Sequence, residues 1–300
     1  MPGESLLDIE ELARFENLLV FARATVEGFF AGRHKSPYRG SAAEFADYKE
    51  YVAGDDLSRI DWRVYGRTRR LFVRQFEEET DMVVYVLVDT SNSMRYAGAK
   101  RPSKYLLAAK VAAALTYLML AQGDKTALAL FAEKVTSYVP PGGTRRHLHQ
   151  VITTLDRVKP ARGTGLAAAV EDCAQLIRKR GRIVILSDFL DDTNALFDSL
   201  ARFVHRKFEI LLLQIVDPDE LHLPALNAAN FVDLETGDTI QIDPEEIRAE
   251  YRARMAEITA SLAREADVRQ IQYRLVDTRR PYLDALEAYL GFRGKNEFSR

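Results

Sequence analysis

The chain has 300 residues, with 42 Lys and Arg against 44 Asp and Glu, so its formal net charge is -2. This balance excludes a protein held to nucleic acid or anionic lipid mainly by bulk charge, and a hydrophobic content of 47% excludes disorder over the whole chain. The single cysteine, Cys173, excludes an intrachain disulfide and a cysteine-based zinc site. The longest uncharged apolar stretch, 111–123, is shorter than the ~20 residues of a transmembrane helix, so we expect no membrane span and a cytoplasmic protein.

Residues 1–80 are expected to form an N-terminal helix and an irregular Arg/Tyr-rich extension that pack on the main domain. Residues 5–30 favour a helix, because Ser5 can cap it and apolar residues recur near one face. Residues 33–80 show no long periodicity, although 71–76 are typical of a short strand. Six arginines between Arg59 and Arg74 stand among acidic residues. Mixed signs indicate a salt-bridged surface, so we expect no nucleic-acid partner, although interleaved aromatic residues leave base stacking as an alternative.

Residues 81–292 alternate strands and helices, which predicts an α/β domain with a doubly wound, mostly parallel sheet. Strands are predicted at 82–88, 127–131, 134–139, 182–186, 209–216 and about 271–276. Helices are predicted at 103–122, about 144–157, about 165–179, from Pro244 onward and about 281–290. The strand over 134–139 is expected to pair with the strand before it and to end at Pro140.

The C-terminal part of the chain is expected to contain a hairpin and a polar tail. A glycine-containing turn predicts a hairpin over residues 231–242, directly before a helix that Asp243 caps. Residues 293–300 are expected to form a polar tail.

Oxygen-bearing side chains follow two of the buried strands and precede one helix. They are Asp89, Ser91 and Ser93 after the first core strand, Thr164 between two glycines before a helix, and Asp188 after the third core strand. Because ligands of doubly wound sheets bind beyond the carboxyl ends of the strands, we expect these side chains to converge. Two carboxylates and three hydroxyls are hard oxygen donors, which favour Mg²⁺ or Mn²⁺.

This pattern resembles the metal-ion-dependent adhesion site of von Willebrand factor A domains. In those domains, D-x-S-x-S follows a buried strand, and a threonine and an aspartate follow later in the chain. The resemblance implies a fold of the von Willebrand A (Rossmann-like) type and a metal bound by Asp89, Ser91, Ser93, Thr164 and Asp188. It also implies a non-enzymatic protein-binding module, in which an Asp or Glu of the partner fills an open coordination position on the metal.

A second set of motifs extends over nearly the whole chain: SPYRG (36–40), EFADYKEY (44–51), GDD (54–56), RIDWRVYGRT (59–68), FEEET (76–80) and the ending 282–292. With these motifs the chain resembles the bacterial domain-of-unknown-function family fifty-eight. The resemblance implies an accessory of a MoxR-type AAA+ ATPase in the assembly or remodelling of protein complexes.

Two other interpretations of Asp89 are open. Asp89, Ser91 and Ser93 alone are also typical of a plain strand-to-helix turn, but the later Thr164 and Asp188 favour a metal site. The functional alternative is a metal-dependent phosphatase or hydrolase of the haloacid-dehalogenase type. That chemistry needs a second aspartate two positions on as acid and base, where this chain has Ser91. We therefore expect no enzyme.

Overall fold

The computed structural model describes residues 45–51, 62–76, 82–158, 160, 163, 165–223, 229–279 and 283–297. The helix predicted over residues 5–30 and the predicted ligand Thr164 lie outside these residues. Contacts along the chain define two compact units, Pro37–Asp81 and a larger unit that contains Met82–Arg300. The predicted packing of residues 1–80 on the main domain stays a prediction.

The smaller unit contains two antiparallel strands and a short helix. β1 (Phe45–Glu50) pairs with β2 (Phe72–Phe76), and α1 (Trp62–Thr68) lies between them in the sequence. β2 confirms the strand predicted there, whereas β1 and α1 were not predicted. A helix of about two turns is too short to show a helical period, which explains why α1 was missed.

The larger unit is built on a six-stranded sheet. Its strands and those of a separate hairpin are β3 (Val83–Asp89), β4 (Lys125–Phe131), β5 (Val135–Gly142), β6 (Gly181–Ser187), β7 (Glu209–Val216), β8 (Ala229–Val232), β9 (Thr239–Ile242) and β10 (Gln272–Asp277). The order in the sheet is β10-β7-β6-β3-β4-β5, and all neighbours are parallel except β4 and β5.

Helices cover both faces of this sheet. They are α2 (Lys104–Gln122), α3 (Arg145–Asp156), α4 (Leu166–Leu176), α5 (Thr193–His205), α6 (Pro218–His222), α7 (Pro244–Val268) and α8 (Leu283–Glu297). The even-numbered residues of β3 lie in a core with α2, α3 and α8, and its odd-numbered apolar residues lie in a second core with α4, α5 and α7. This alternation confirms the predicted α/β architecture, because a strand buried on both faces needs apolar side chains at every position.

Two predicted boundaries are wrong, and two helices of the larger unit, α5 and α6, were not predicted. β5 continues through Pro140 and Pro141 to Gly142, because it is an edge strand, where a residue without an N–H group is tolerated. α8 extends to Glu297, so most of the predicted tail is helical. α5 was missed, although its start has a clear signal: the Asp192 side chain accepts hydrogen bonds from two backbone amides of the first turn.

The predicted hairpin and the helix after it are confirmed. β8 and β9 pair antiparallel, and Gly237 in their connection has a φ of 83°, a conformation that favours glycine. α7 begins at Pro244, and the Asp243 side chain accepts a hydrogen bond from the backbone amide of Glu245. The capped helix therefore begins directly after β9.

Among the described helices, α2 is long and apolar enough to cross a membrane by length and composition alone. Most of that stretch is buried in the larger unit, and its residues Ala112 and Leu115 are fully buried in the core. A core helix passes the same test, so the length and composition of α2 are weak evidence for a span.

Candidate metal centre

The four predicted ligands that the structure describes, Asp89, Ser91, Ser93 and Asp188, lie where the strand order of the sheet reverses. From β3 the chain passes to β4 on one side and returns to β6 on the other, so β3 and β6 flank the crevice in which doubly wound sheets bind ligands. Asp89 is the last residue of β3, and Ser187 is the last residue of β6. The Ser187 hydroxyl donates to Asp89 Oδ2 over 2.6 Å, so the ends of the two strands are in direct contact.

The loop after β3 brings two serine hydroxyls together beside Asp89. The backbone amide of Ser91 donates to Asp89 Oδ1 over 2.8 Å, and this fixes the carboxylate in the loop. The hydroxyls of Ser91 and Ser93 are hydrogen-bonded to each other, with their Oγ atoms 3.0 Å apart. Ser91 is fully buried, whereas Ser93 is half-buried. The two hydroxyl oxygens therefore lie at the edge of the buried region, with that of Ser93 nearer to solvent.

A second carboxylate, Asp188, acts on Asp89 through its charge. The pKa of Asp89 is raised to about 6, mainly by burial and secondly by the nearby charge of Asp188. Hydrogen bonds from Ser187 and Ser91 oppose this rise. A cation beside the buried Asp89 carboxylate would favour its ionised form.

The donor set is compatible with Mg²⁺ or Mn²⁺. In an octahedron with bonds of about 2.1 Å, adjacent ligand oxygens lie about 3.0 Å apart, and the hydroxyls of Ser91 and Ser93 have this separation. Among the described residues, no group of three or more His, Cys, Asp or Glu side chains is arranged to hold a metal ion. A site at this edge of the sheet would therefore depend on its serine hydroxyls and would be of the hard-oxygen type.

A buried lysine, which was not among the predicted site residues, also contacts the candidate centre. Lys104 is fully buried, and its Nζ donates to Asp188 Oδ2 over 2.8 Å and to Glu220 in α6. Lys104 is the first residue of α2, where the helix dipole disfavours a positive charge. Because the helix itself disfavours a lysine at its first position, the contacts with Asp188 and Glu220 must stabilise Lys104 there.

Two glycines, Gly163 and Gly165, flank Thr164 in the sequence, and the structure describes both of them. Gly163 has a φ of 103°, and a Cβ atom on Gly165 would lie 2.7 Å from the backbone oxygen of Glu133. Both positions therefore need glycine, one for its conformation and the other for a close approach. The amide of Leu166, at the start of α4, donates to Asp191 Oδ2 over 2.9 Å, which ties this loop to the loop after β6.

A third acidic residue, Glu235, joins the two loops and was also missed. It lies in the β8–β9 turn, and its Oε1 accepts from the amide of Ser93 over 2.7 Å. Its Oε2 accepts from the amide of Gly163 over 2.9 Å. These partners are separated from Glu235 by 142 and 72 residues, so no local pattern in the sequence could have revealed the contact.

Comparison with known proteins identifies the family of this chain. A family described as "Protein of unknown function DUF58" matches residues 47–261. The chain belongs to the DUF58 family. Two relatives are the uncharacterised proteins Mb1516 of Mycobacterium bovis and Rv1480 of Mycobacterium tuberculosis. Each is 29% identical over 258 residues, which cover 84% of this chain and 80% of the relative.

A solved structure shares the fold of this DUF58 member. It is described as an aerotolerance-related membrane protein from Bacteroides fragilis, and it matches with a TM-score of 0.51 and 19% identity. The match covers 71% of this chain and 99% of that chain. At this identity the likeness concerns the fold alone.

Proposed function

We propose that this chain is a non-enzymatic protein-binding module of the von Willebrand A type, with a metal-ion-dependent adhesion site that binds Mg²⁺ or Mn²⁺. The proposal rests mainly on one observation: Asp89 and the hydroxyls of Ser91 and Ser93 meet Ser187 and Asp188 at the point where the strand order reverses. The oxygen-only chemistry of the set supports a hard divalent cation.

The protein's own residues would prepare the centre before any partner arrives. Asp89 is held by the Ser91 amide and the Ser187 hydroxyl, so its carboxylate needs little reorganisation to meet a cation. Ser91 and Ser93 would supply hydroxyl ligands and Thr164 a third, while Asp188 supplies charge beside them. The bound metal would supply a positive centre with an open position for an Asp or Glu of the partner protein.

The partner part of the proposal is that the chain serves a MoxR-type AAA+ ATPase in assembling or remodelling protein complexes. This part rests on the family resemblance of the sequence. A non-enzymatic role is supported by Ser91, which stands where a hydrolase of the haloacid-dehalogenase type needs its acid and base.

The experiment is affinity capture from a bacterial lysate with the full chain as bait, in Mg²⁺ and in EDTA. Wild type is compared with Asp89→Ala and with Asp198→Ala, which removes an exposed carboxylate on α5. We expect a set of proteins, with an AAA+ ATPase among them, that wild type and Asp198→Ala retain only in Mg²⁺ and that Asp89→Ala loses. The same partners in every condition would contradict metal-dependent binding, and a metal-dependent set without an AAA+ ATPase would contradict the partner assignment.

A further inference from the structure

The carboxylate of Glu235 occupies a pair of backbone amides at the rim of the candidate metal centre. The two donors come from different loops: Ser93 is itself a candidate ligand, and Gly163 directly precedes Thr164. A carboxylate with each oxygen bound to a separate amide makes charge-assisted hydrogen bonds, which are stronger than neutral ones. The rim therefore already accepts one carboxylate in a defined position.

Three hydrogen bonds hold the tip of the turn that carries Glu235. Besides the two bonds to Glu235, the Asn92 side chain donates to the backbone oxygen of Leu234 over 2.9 Å. Val232 and Ile240 on the two strands are 53% and 59% exposed. Among the residues described, neither core cluster includes a residue of the β8–β9 hairpin. Movement of the turn away from the rim therefore uncovers none of the core residues that the structure describes.

We propose that the amides of Ser93 and Gly163 form a carboxylate-binding pair, which Glu235 fills in the closed chain and an acidic side chain of a partner protein fills after the β8–β9 turn moves away. The inference rests on the proposed function, because it gives that site a built-in competitor. The occupant is an acidic protein segment, since the amides already bind the side chain of a glutamate within this chain. Binding of the partner then requires the closed turn to open, which reduces the apparent affinity by the fraction of chains that are open.

The test measures binding of the full chain to immobilised poly-L-glutamate in Mg²⁺ and in EDTA. Glu235→Ala and Glu235→Gln open the amide pair, and the control Asp238→Ala removes an exposed carboxylate from the same turn. Asp238 accepts a hydrogen bond from Thr236 within the turn. Glu235→Ala and Asp238→Ala change the net charge equally, so a difference in their affinity for poly-L-glutamate cannot come from the net charge. We expect both Glu235 variants to bind about tenfold more tightly than wild type, as when an open state is populated at about one part in ten, and Asp238→Ala to bind like wild type.

Hydrogen–deuterium exchange on the same proteins checks that the contact, and not the fold, has changed. Exchange is expected to accelerate in peptides that contain Ser93 and Gly163 for both Glu235 variants, with β3 and β6 unchanged. Glu235→Gln keeps the size of the side chain, so it carries the test if Glu235→Ala loosens the fold.

The outcomes separate this inference from the proposed function. Equal affinities of the Glu235 variants and Asp238→Ala overturn the carboxylate pair, and the proposed function still stands if all chains bind more weakly in EDTA. Tighter binding of the Glu235 variants, with each chain binding equally in Mg²⁺ and in EDTA, supports the carboxylate pair and contradicts the role of the metal. Tighter binding only in Mg²⁺ supports both.

Discussion

Lys104 gives the candidate centre an internal positive charge. Its ammonium group lies between Asp188 and Glu220, with no solvent exposure. Burial opposes its charge, but the two carboxylates prevail and raise the pKa of Lys104 above its ordinary value. The lysine therefore stays protonated and neutralises part of the acidic cluster when no metal is bound.

Lys104→Met is expected to destabilise the metal-free chain by about 3 to 5 kcal/mol, because it leaves the buried Asp188 and the partly buried Glu220 without their cation. A divalent ion then gains more from the unpaired Asp188, so Mg²⁺ should raise the melting temperature of Lys104→Met more than that of wild type. Thermal unfolding with and without Mg²⁺ measures both effects. Lys110→Met, at a half-buried position of the same helix, is the control. An equal Mg²⁺ response in wild type and Lys104→Met would contradict this role.

At the scale of elements, the loop before α4 depends on a close backbone approach. A Cβ atom on Gly165 would meet three backbone atoms of Glu133 at 2.7 to 3.2 Å, and backbone cannot rotate away as a side chain can. Gly291 in α8 has no atom within 4 Å of the place where its Cβ would lie. The two glycines therefore differ in what an added methyl group would do.

Gly165→Ala is expected to lower the free energy of unfolding by about 1 to 3 kcal/mol through overpacking. Gly291→Ala is expected to raise it by about 0.5 to 1 kcal/mol, since it restricts the unfolded chain without a clash. Urea unfolding of both variants measures the difference. Similar effects of the two substitutions would show that the loop before α4 is not held against Glu133.

At the scale of the whole molecule, the sequence predicted what depends on local composition and on sheet topology. Continuous apolar runs located β3, β6 and β7 within about two residues, because strands buried on both faces need them. The parallel order then predicted that Asp89 and Asp188 lie at one edge. The contacts of Lys104 and Glu235 could not be predicted, because their partners are 72 to 142 residues away and no motif links them.

Asp217 holds several loops of the larger unit together at the same edge of the sheet. Its buried carboxylate accepts hydrogen bonds from the amide of Gly98, from Arg101 and from the Thr278 hydroxyl after β10. Burial opposes ionisation, but these bonds and one from the amide of Asp219 outweigh it, so the pKa of Asp217 lies below its ordinary value.

A lowered pKa means that ionised Asp217 stabilises the fold above its unfolded pKa of about 3.9, and that this contribution is lost as the pH falls further towards the folded value. Asp217→Asn is expected to cost about 1.5 to 3 kcal/mol at neutral pH, the range for hydrogen bonds to a charged group. The gap in unfolding free energy between wild type and Asp217→Asn should stay constant from pH 7 to about pH 5 and shrink below about pH 4. Urea unfolding across this range measures the gap, and a gap that does not change with pH would contradict the assignment.

The central claim is a divalent metal held at the ends of β3 and β6, and electron paramagnetic resonance of Mn²⁺ tests it most directly. The signal of free Mn²⁺ falls as the ion binds, so a titration of the full chain counts bound ions. We expect wild type and Asp198→Ala to bind one equivalent of Mn²⁺, with Mg²⁺ displacing it, and Asp89→Ala to leave the ion free. A wild-type chain that leaves all the Mn²⁺ free, or an Asp89→Ala chain that binds it as wild type does, would contradict the claim.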